Sequence, residues 1–126
     1  MKVLLVDDQE DIRKIGRLSL EAVGKHQVLV ASNATEAIEL ARSQPDLILM
    51  DMMMPGRDGL SALAELRETP GLRSIPVLFM TAKVQRAEVE HYLRAGAAGV
   101  IQKPFDPMTL PSEIDRILGL GSGDGR

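Results

Sequence analysis

Five short apolar runs divide the chain: Val3-Leu4-Leu5-Val6, Val28-Leu29-Val30, Leu47-Ile48-Leu49-Met50, Val77-Leu78-Phe79-Met80 and Val100-Ile101. None has the polar alternation of a strand with one wet face, so each reads as a strand buried on both faces. Between them lie stretches with helical spacing: Ile12, Ile15, Leu18 and Ala22, then Ala34, Ala37, Ile38 and Ala41, and finally Leu110, Ile114, Ile117 and Leu118. The pattern predicts (βα)5, an α/β fold. Parallel strands joined by helices cross over right-handed, which puts helices on both faces of one doubly wound, five-stranded parallel sheet, giving three layers. Strands are expected near 2–6, 27–31, 46–50, 76–80 and 99–102, with helices near 10–23, 34–43, 59–68, 84–95 and 107–118. Punctuation agrees: Asn33 followed by Glu36 matches a capping box, Gly24 and Gly96 can close helices, and Pro45 and Pro76 precede strands.

A chain of 126 residues fits one domain, expected over residues 1–118. Its core has to be aliphatic, because 44% of residues are hydrophobic while there is no Trp, one Tyr and two Phe. Phe79 and Phe105 are expected in the core, and Met52-Met53-Met54 in loop and core packing. Residues 119–126 carry four glycines and no apolar pattern, which predicts a flexible tail or truncated linker. Net charge −3 and a pI near 5.4 argue against sequence-independent binding to nucleic acid or an anionic membrane. The absence of cysteine excludes disulfides, thiolate metal sites and a Cys nucleophile. No apolar run nears the roughly 18 residues of a membrane helix, and a strand starting at Lys2 leaves no room for a signal peptide. A soluble, cytoplasmic protein is expected.

The polar residues that interrupt this pattern fall in one place. Asp7-Asp8, Asp51, Thr81 and Lys103 stand at or just past the C-terminal ends of the first, third, fourth and fifth predicted strands, the edge where parallel α/β sheets bind ligands. Taken singly, each has a plain structural role. An acidic pair starts helices, Asp51 suits the turn before Pro55-Gly56, Thr81 suits an N-cap for helix 84–95, and a lone lysine is usually solvated. Taken together they make a site. Clustered carboxylates repel unless a cation neutralises them, and an oxygen-rich, sulfur-free set suits Mg²⁺. A carboxylate can attack phosphorus to form an acyl phosphate, and phosphoryl transfer then needs mainly positioning and charge stabilisation. Mg²⁺ at Asp7 and Asp8, the Lys103 ammonium and the Thr81 hydroxyl would supply both. His26 and His91 lie away from the acidic edge and are expected at the surface.

The run Asp7-Asp8, then Asp51-x-x-Met54-Pro55-x-x-Asp58-Gly59, then Thr81-Ala82, then Lys103-Pro104-Phe105 resembles the receiver domain of two-component response regulators over residues 2 to about 118. The resemblance implies strand order 2-1-3-4-5, a flavodoxin-like fold, and Asp51 as phosphoacceptor. It also implies Asp8 as a direct Mg²⁺ ligand, Asp7 as a more indirect one, and the Met53 backbone carbonyl as a further ligand. Thr81 would bond the phosphoryl group, Lys103 would pair with it, and the Lys103-Pro104 bond would be cis. The implied partners are a sensor histidine kinase or histidine phosphotransfer protein as donor, and an output protein or second receiver. No direct binding to nucleic acid or membrane is expected. Such a switch assists its own phosphorylation and dephosphorylation and is not an enzyme with an external product.

Departures from the family pattern define what is particular to this chain. An aromatic residue usually stands three positions before the lysine, where this chain has Val100, so the signal needs another route, through the loop after Thr81 or helix 84–95. Tyr92 on that helix is a candidate, its plain reading being a surface residue with its ring partly packed. Met53 and Lys83 occupy positions where the family tunes acyl-phosphate hydrolysis. Arg86, Glu90, Arg94, Gln102 and Asp115 make a mixed-charge face that either binds a partner across a two-fold axis or is simply solvated. Two competing functions fit less well. A phosphohydrolase would want a second aspartate two residues after Asp51, where Met53 stands, and a flavin or nucleotide module would want a Gly-rich loop after the first strand, where Asp7-Asp8 stands.

Overall fold

Successive residues of a strand face opposite sides of a sheet, so a run without polar residues requires an apolar cover on both sides. The computed structural model, which describes residues 1–120, supplies two covers around one parallel sheet. Its strands are β1 (Lys2–Val6), β2 (Gln27–Ala31), β3 (Leu47–Asp51), β4 (Val77–Thr81) and β5 (Gly99–Gln102). Its helices are α1 (Glu10–Leu18), α2 (Ala34–Ala41), α3 (Gly59–Glu68), α4 (Arg86–Arg94) and α5 (Leu110–Leu118). The strands pair in the order β2-β1-β3-β4-β5, all parallel. Leu4, Val6, Ile48, Met50, Val77 and Phe79 enter one core with α2, α3 and Tyr92 of α4. The intervening Val3, Leu5, Leu47, Leu49, Leu78 and Met80 enter a second core with Leu20, Leu110 and Ile114, on the side of α1 and α5. Each buried Leu or Ile contributes about 1.5–3 kcal/mol by leaving water, so both faces drive folding.

The helix boundaries follow from local chemistry. Asn33 Oδ1 accepts from Glu36 N at 2.8 Å, and Glu36 Oε1 reaches back to Ser32 N at 2.6 Å. Asp58 Oδ1 caps α3 by accepting from Ser61 N at 2.9 Å. Gly59, the first residue of α3, is required by closeness: a Cβ there would lie 2.7 Å from Phe79 Cε1 and 3.2 Å from Met52 Cα. That fit draws α3 against the end of β3, beside Asp51.

Several boundaries differ from the sequence expectation. The helix expected over 10–23 is α1 followed by a π-helical turn, Ser19–Val23, because the buried Ser19 hydroxyl donates to the Pro107 carbonyl and Gly24 N–H reaches Ser19 O. α4 starts at Arg86 with Gln85 as N-cap, so Thr81 does not cap it. α5 starts at Leu110, since Asp106 first makes a turn with Met108 N. β3 and β4 each run one residue further, through Asp51 and Thr81, which pair with Met80 and Gln102 in the ladder. At the other end, Gly119 caps α5 in the left-handed region (φ 71°) and Leu120 N–H bonds Asp115 O. Residues 121–126, most of the expected tail, lie outside the described residues.

Three side chains sit differently from their plain reading. Tyr92, expected at the surface, is buried at 5% exposure with its ring edge-on to Phe79, centroids 5.6 Å apart at 73°. α4 has few buried anchors, and this ring fills the space the helix leaves against β4. His26 is half-buried, its Nδ1 3.1 Å from the Met1 amine, while His91 is exposed as expected. Phe79 is fully buried, whereas Phe105 is only half-buried.

Candidate functional site

Three of the strand ends use the same local device. Asp7 Oδ1 accepts from Gln9 N at 2.9 Å, Asp51 Oδ1 from Met53 N at 3.3 Å, and Thr81 Oγ1 from Lys83 N at 3.0 Å. Each is a side chain bonding its own backbone two residues on, the habit of Asp and Thr in turns. The turn reading of Asp51 is therefore correct locally, while Asp7 and Thr81 make the same turn in place of capping a helix. The consequence is that each side chain is pinned at the C-terminal edge instead of swinging into solvent.

Strand order then brings them together. β1 lies beside β3, and β3 beside β4, so Asp7, Asp8 and Asp51 converge, with one carboxylate oxygen of each lying within 4.8 Å of the other two. Lys103, at the end of β5, reaches across with Nζ 2.8 Å from Asp7 Oδ2 and 3.3 Å from Asp51 Oδ1. The Lys103-Pro104 peptide is cis. Asp7 is fully buried with both oxygens engaged, by Gln9 N and by Lys103. Asp8 is exposed at the rim. Asp51 is buried, and its Oδ2 has no protein hydrogen bond among the described residues, since Met53 N and Lys103 both address Oδ1.

One ammonium facing three carboxylates leaves an excess of negative charge. Burial, and then the charge of Asp7, push the Asp51 carboxyl from its ordinary 3.8 up to about 6, against the opposing pull of Lys103 and the Met53 N–H. Burial alone would lower Lys103, but the hydrogen bond to Asp7 and the charges of Asp51 and Asp7 outweigh it and raise the ammonium above its usual range. Lys103 is thus fixed as a cation, and additional positive charge beside Asp51 would favour its ionised form. The donor set is all oxygen, clustered and partly open to solvent, and so fits a hard divalent cation such as Mg²⁺.

Above the acids lies an open cleft of about 270 Å³ lined by Asp8, Gln9, Asp51, Met53, Thr81, Ala82 and Lys103. Every residue expected at the site lines this cleft except Asp7, which lies beneath it. Met53 stands at its mouth, 63% exposed, while Met52 and Met54 are buried. Lys83 does not line it; its side chain borders the neighbouring hollow formed with Val84, Gln85 and Glu88. Two participants were not legible beforehand. Gln9 lines the cleft, a position that its place directly after the aspartate pair could have suggested, and Arg13 Nη1 donates to the Asp7 carbonyl at 2.8 Å, a contact one helical turn along that the sequence gives no reason to single out.

Beside the cleft, and sharing Gln9, Ala82 and Lys103 with it, is an apolar groove of about 480 Å³ lined also by Ile12, Ile15, Pro104, Phe105 and Pro107. On the opposite flank, Arg86 and Glu90 of the mixed-charge face pair with each other at 3.1 Å. Among the described residues, no helix is long and apolar enough to cross a membrane.

Comparison with known proteins agrees with this geometry. Residues 3–115 match the response regulator receiver domain family. The chain is 34% identical to a chemotaxis protein CheY homolog of Campylobacter jejuni, across 99% of this chain and 98% of that protein. It is 33% identical to the chemotaxis protein CheY1 of Helicobacter pylori, across 94% and 98%. In three dimensions it resembles the chemotaxis response regulator CheY4 of Vibrio cholerae, with a TM-score of 0.84 and 30% identity over 92% of this chain and 97% of that one. Acids, threonine and lysine meeting on one edge of a 2-1-3-4-5 sheet, with a family match over nearly its whole length, place this chain in the response regulator receiver family.

Proposed function

We propose that this chain is a phosphorylation-controlled switch in which Asp51 accepts a phosphoryl group from a phosphohistidine of a sensor kinase or histidine phosphotransfer protein. The observation that carries this reading is Asp51 itself: buried, over-surrounded by negative charge, with Oδ2 free beneath an open cleft. In the transfer, the N–P bond of the donor imidazole breaks as the Asp51 Oδ2–P bond forms, leaving the imidazole to take up a proton. Asp8 and Asp51, the Met53 carbonyl and, less directly, Asp7 would hold Mg²⁺, which supplies positive charge to the transferring phosphoryl oxygens. Lys103 adds an ammonium already held in place by Asp7. Thr81 gives up its bond from Lys83 N and donates its hydroxyl to a phosphoryl oxygen.

The donor protein covers the apolar groove that adjoins the cleft, where Ile12, Ile15 and Phe105 offer a surface for a helix carrying the histidine. Output leaves by the other side. Releasing Lys83 N frees the 82–85 loop, which leads directly into α4, and α4 is held to the sheet by Tyr92 on Phe79, two residues before Thr81. With Val100 half-buried in the same core, Tyr92 takes the place of the missing aromatic as the group that links Thr81 to α4. The face of α4, β5 and α5 then meets an output protein or a second receiver. Such a chain works in the cytoplasm, turns over no external product, and binds neither nucleic acid nor membrane directly.

Incubation with acetyl phosphate should add one phosphoryl group to the intact mass only when Mg²⁺ is present, and Asp51→Ala should abolish the addition. Modification that persists in Asp51→Ala, or that ignores Mg²⁺, would contradict the proposal.

A further inference from the structure

A switch that is turned on by an acyl phosphate also needs a way to lose it, and the cleft contains one side chain suited to that step. Gln9 lines the cleft together with Asp8, Asp51, Met53, Thr81, Ala82 and Lys103. Its backbone is fixed at both ends of the residue: its N–H donates to Asp7 Oδ1 at 2.9 Å, and its carbonyl accepts from Arg13 N at 3.1 Å as α1 begins. Its side-chain amide, by contrast, makes no hydrogen bond with any described residue, not even the N-cap bond that its position at the head of α1 would allow.

The other cleft groups are already committed or unsuited. Lys103 is engaged by Asp7 and Asp51, and the Thr81 hydroxyl by Lys83 N. Asp8 and Asp51 are anionic acceptors facing the cation site. Met53 and Ala82 bring no side-chain hydrogen-bond donor or acceptor of ordinary strength. Apart from Thr81, whose hydroxyl is assigned to the phosphoryl group, Gln9 is the one residue lining the cleft with a neutral side chain that offers both a donor and an acceptor, and it stands where the cleft meets the apolar groove. A free amide so placed can accept a hydrogen bond from one water through its carbonyl oxygen while its NH2 donates to a neighbour, the role a glutamine plays in orienting the attacking water in other phosphoryl-transfer proteins.

We propose that the side-chain amide of Gln9 holds and orients the water that hydrolyses the phosphoryl group on Asp51, and so sets the lifetime of the signal. The inference rests on Asp51 being the phosphoacceptor. In the step, the water oxygen bonds phosphorus as the P–O bond to Asp51 breaks. Asp51 returns as a carboxylate, and both water protons leave on dihydrogen phosphate, which then equilibrates with solvent. Met53 at the mouth limits access to the same water, and Lys83, facing the adjoining hollow, acts only indirectly.

The test is phosphoryl lifetime, followed by intact mass after removal of acetyl phosphate, in the wild type, Gln9→Met and Gln9→Asn. Methionine keeps the length of the side chain and removes the amide. Gln9→Met should lengthen the lifetime about fivefold or more, the factor one hydrogen bond gives a rate, and Gln9→Asn should fall between. Uptake rate and Mg²⁺ affinity, measured on the same variants, should stay within about twofold, because Gln9 is not assigned to either. An unchanged or shorter lifetime in Gln9→Met overturns the proposal. So does a parallel loss of uptake, Mg²⁺ affinity and decay, which would make Gln9 a merely structural residue. A wild type that takes up no phosphoryl group overturns the switch reading as well, whereas uptake with equal lifetimes overturns only the role of Gln9.

Discussion

The same two strands, β1 and β3, end very differently at their two edges. At the N-terminal edge Asp46, just before β3, forms a closed pair of bonds with the start of β1: Asp46 N donates to Lys2 O at 2.8 Å, and Asp46 Oδ2 accepts from Lys2 N at 2.8 Å. Lys2 Nζ in turn donates to the Ser43 carbonyl at 2.6 Å. One exposed carboxylate accepts from one neutral backbone N–H and keeps its other oxygen for water. At the C-terminal edge Asp7 and Asp51 are buried together and share one lysine, with Asp8 alongside. That edge is short of positive charge by design of its sequence, and the fold tolerates it because the aliphatic cores on both faces carry stability. The difference separates an edge that only finishes the sheet from one held ready for a cation and a phosphoryl group.

Lys103→Ala should break the contrast most severely, by leaving Asp7 buried without its cation. Removing one partner of a buried pair is expected to destabilise the Mg²⁺-free protein by about 3 kcal/mol at pH 7, measured by urea denaturation. Mg²⁺ should restore part of this loss, since a second cation can serve the same acids.

Asp51→Asn acts in the opposite direction. Folding raises the Asp51 carboxyl from 3.8 to about 6, so the protonated form is favoured by the fold. The stability this gives is fully present below about pH 3.8 and is lost as pH rises through about 6. At pH 7 the wild type carries the whole penalty, and Asp51→Asn should relieve it, gaining about 2 kcal/mol in the absence of metal. The gain should shrink as pH falls below about 6 and vanish only well below 3.8, where Asp51 is neutral in both states. Equal stability of the two proteins at pH 7 would contradict the electrostatic account of the site.

Asp46→Ala sharpens the comparison from the other edge with the smallest effect. It should cost about 1 kcal/mol, one hydrogen bond from a backbone N–H. The loss should be the same with and without Mg²⁺, because Asp46 stands at the far end of the strands from the acidic cluster. A Mg²⁺-dependent loss would show that the two edges are not independent.

Much of this architecture was legible because its signals are local. The five apolar runs required two covers, and the structure provides them residue by residue, with Leu4 and Val6 on one side and Val3 and Leu5 on the other. The acidic edge was legible because polar residues stood out where apolar runs stopped. What escaped depends on contacts distant in sequence. The π-helical turn at 19–23 forms because Ser19 meets Pro107, which no periodicity reports. Tyr92 is buried because Phe79 lies beneath it, a partner in another element. Asp51 and Thr81 belong to their strands, not to the turns beyond them, because neighbouring strands extend the ladder that far. The sharing of Lys103 between Asp7 and Asp51 required strand order, which the pattern of runs does not contain and which only the family resemblance implied.

The measurement that tests the central claim most directly is the thermal midpoint with and without Mg²⁺, at pH 7, for the wild type and Asp51→Asn. The charge-deficient edge predicts that Mg²⁺ raises the wild-type midpoint by several degrees, and that Asp51→Asn melts higher than the wild type without metal and gains little on adding it. A wild type indifferent to Mg²⁺, or an Asp51→Asn that melts lower than wild type in its absence, would show that this edge is as complete as the other and would contradict the account.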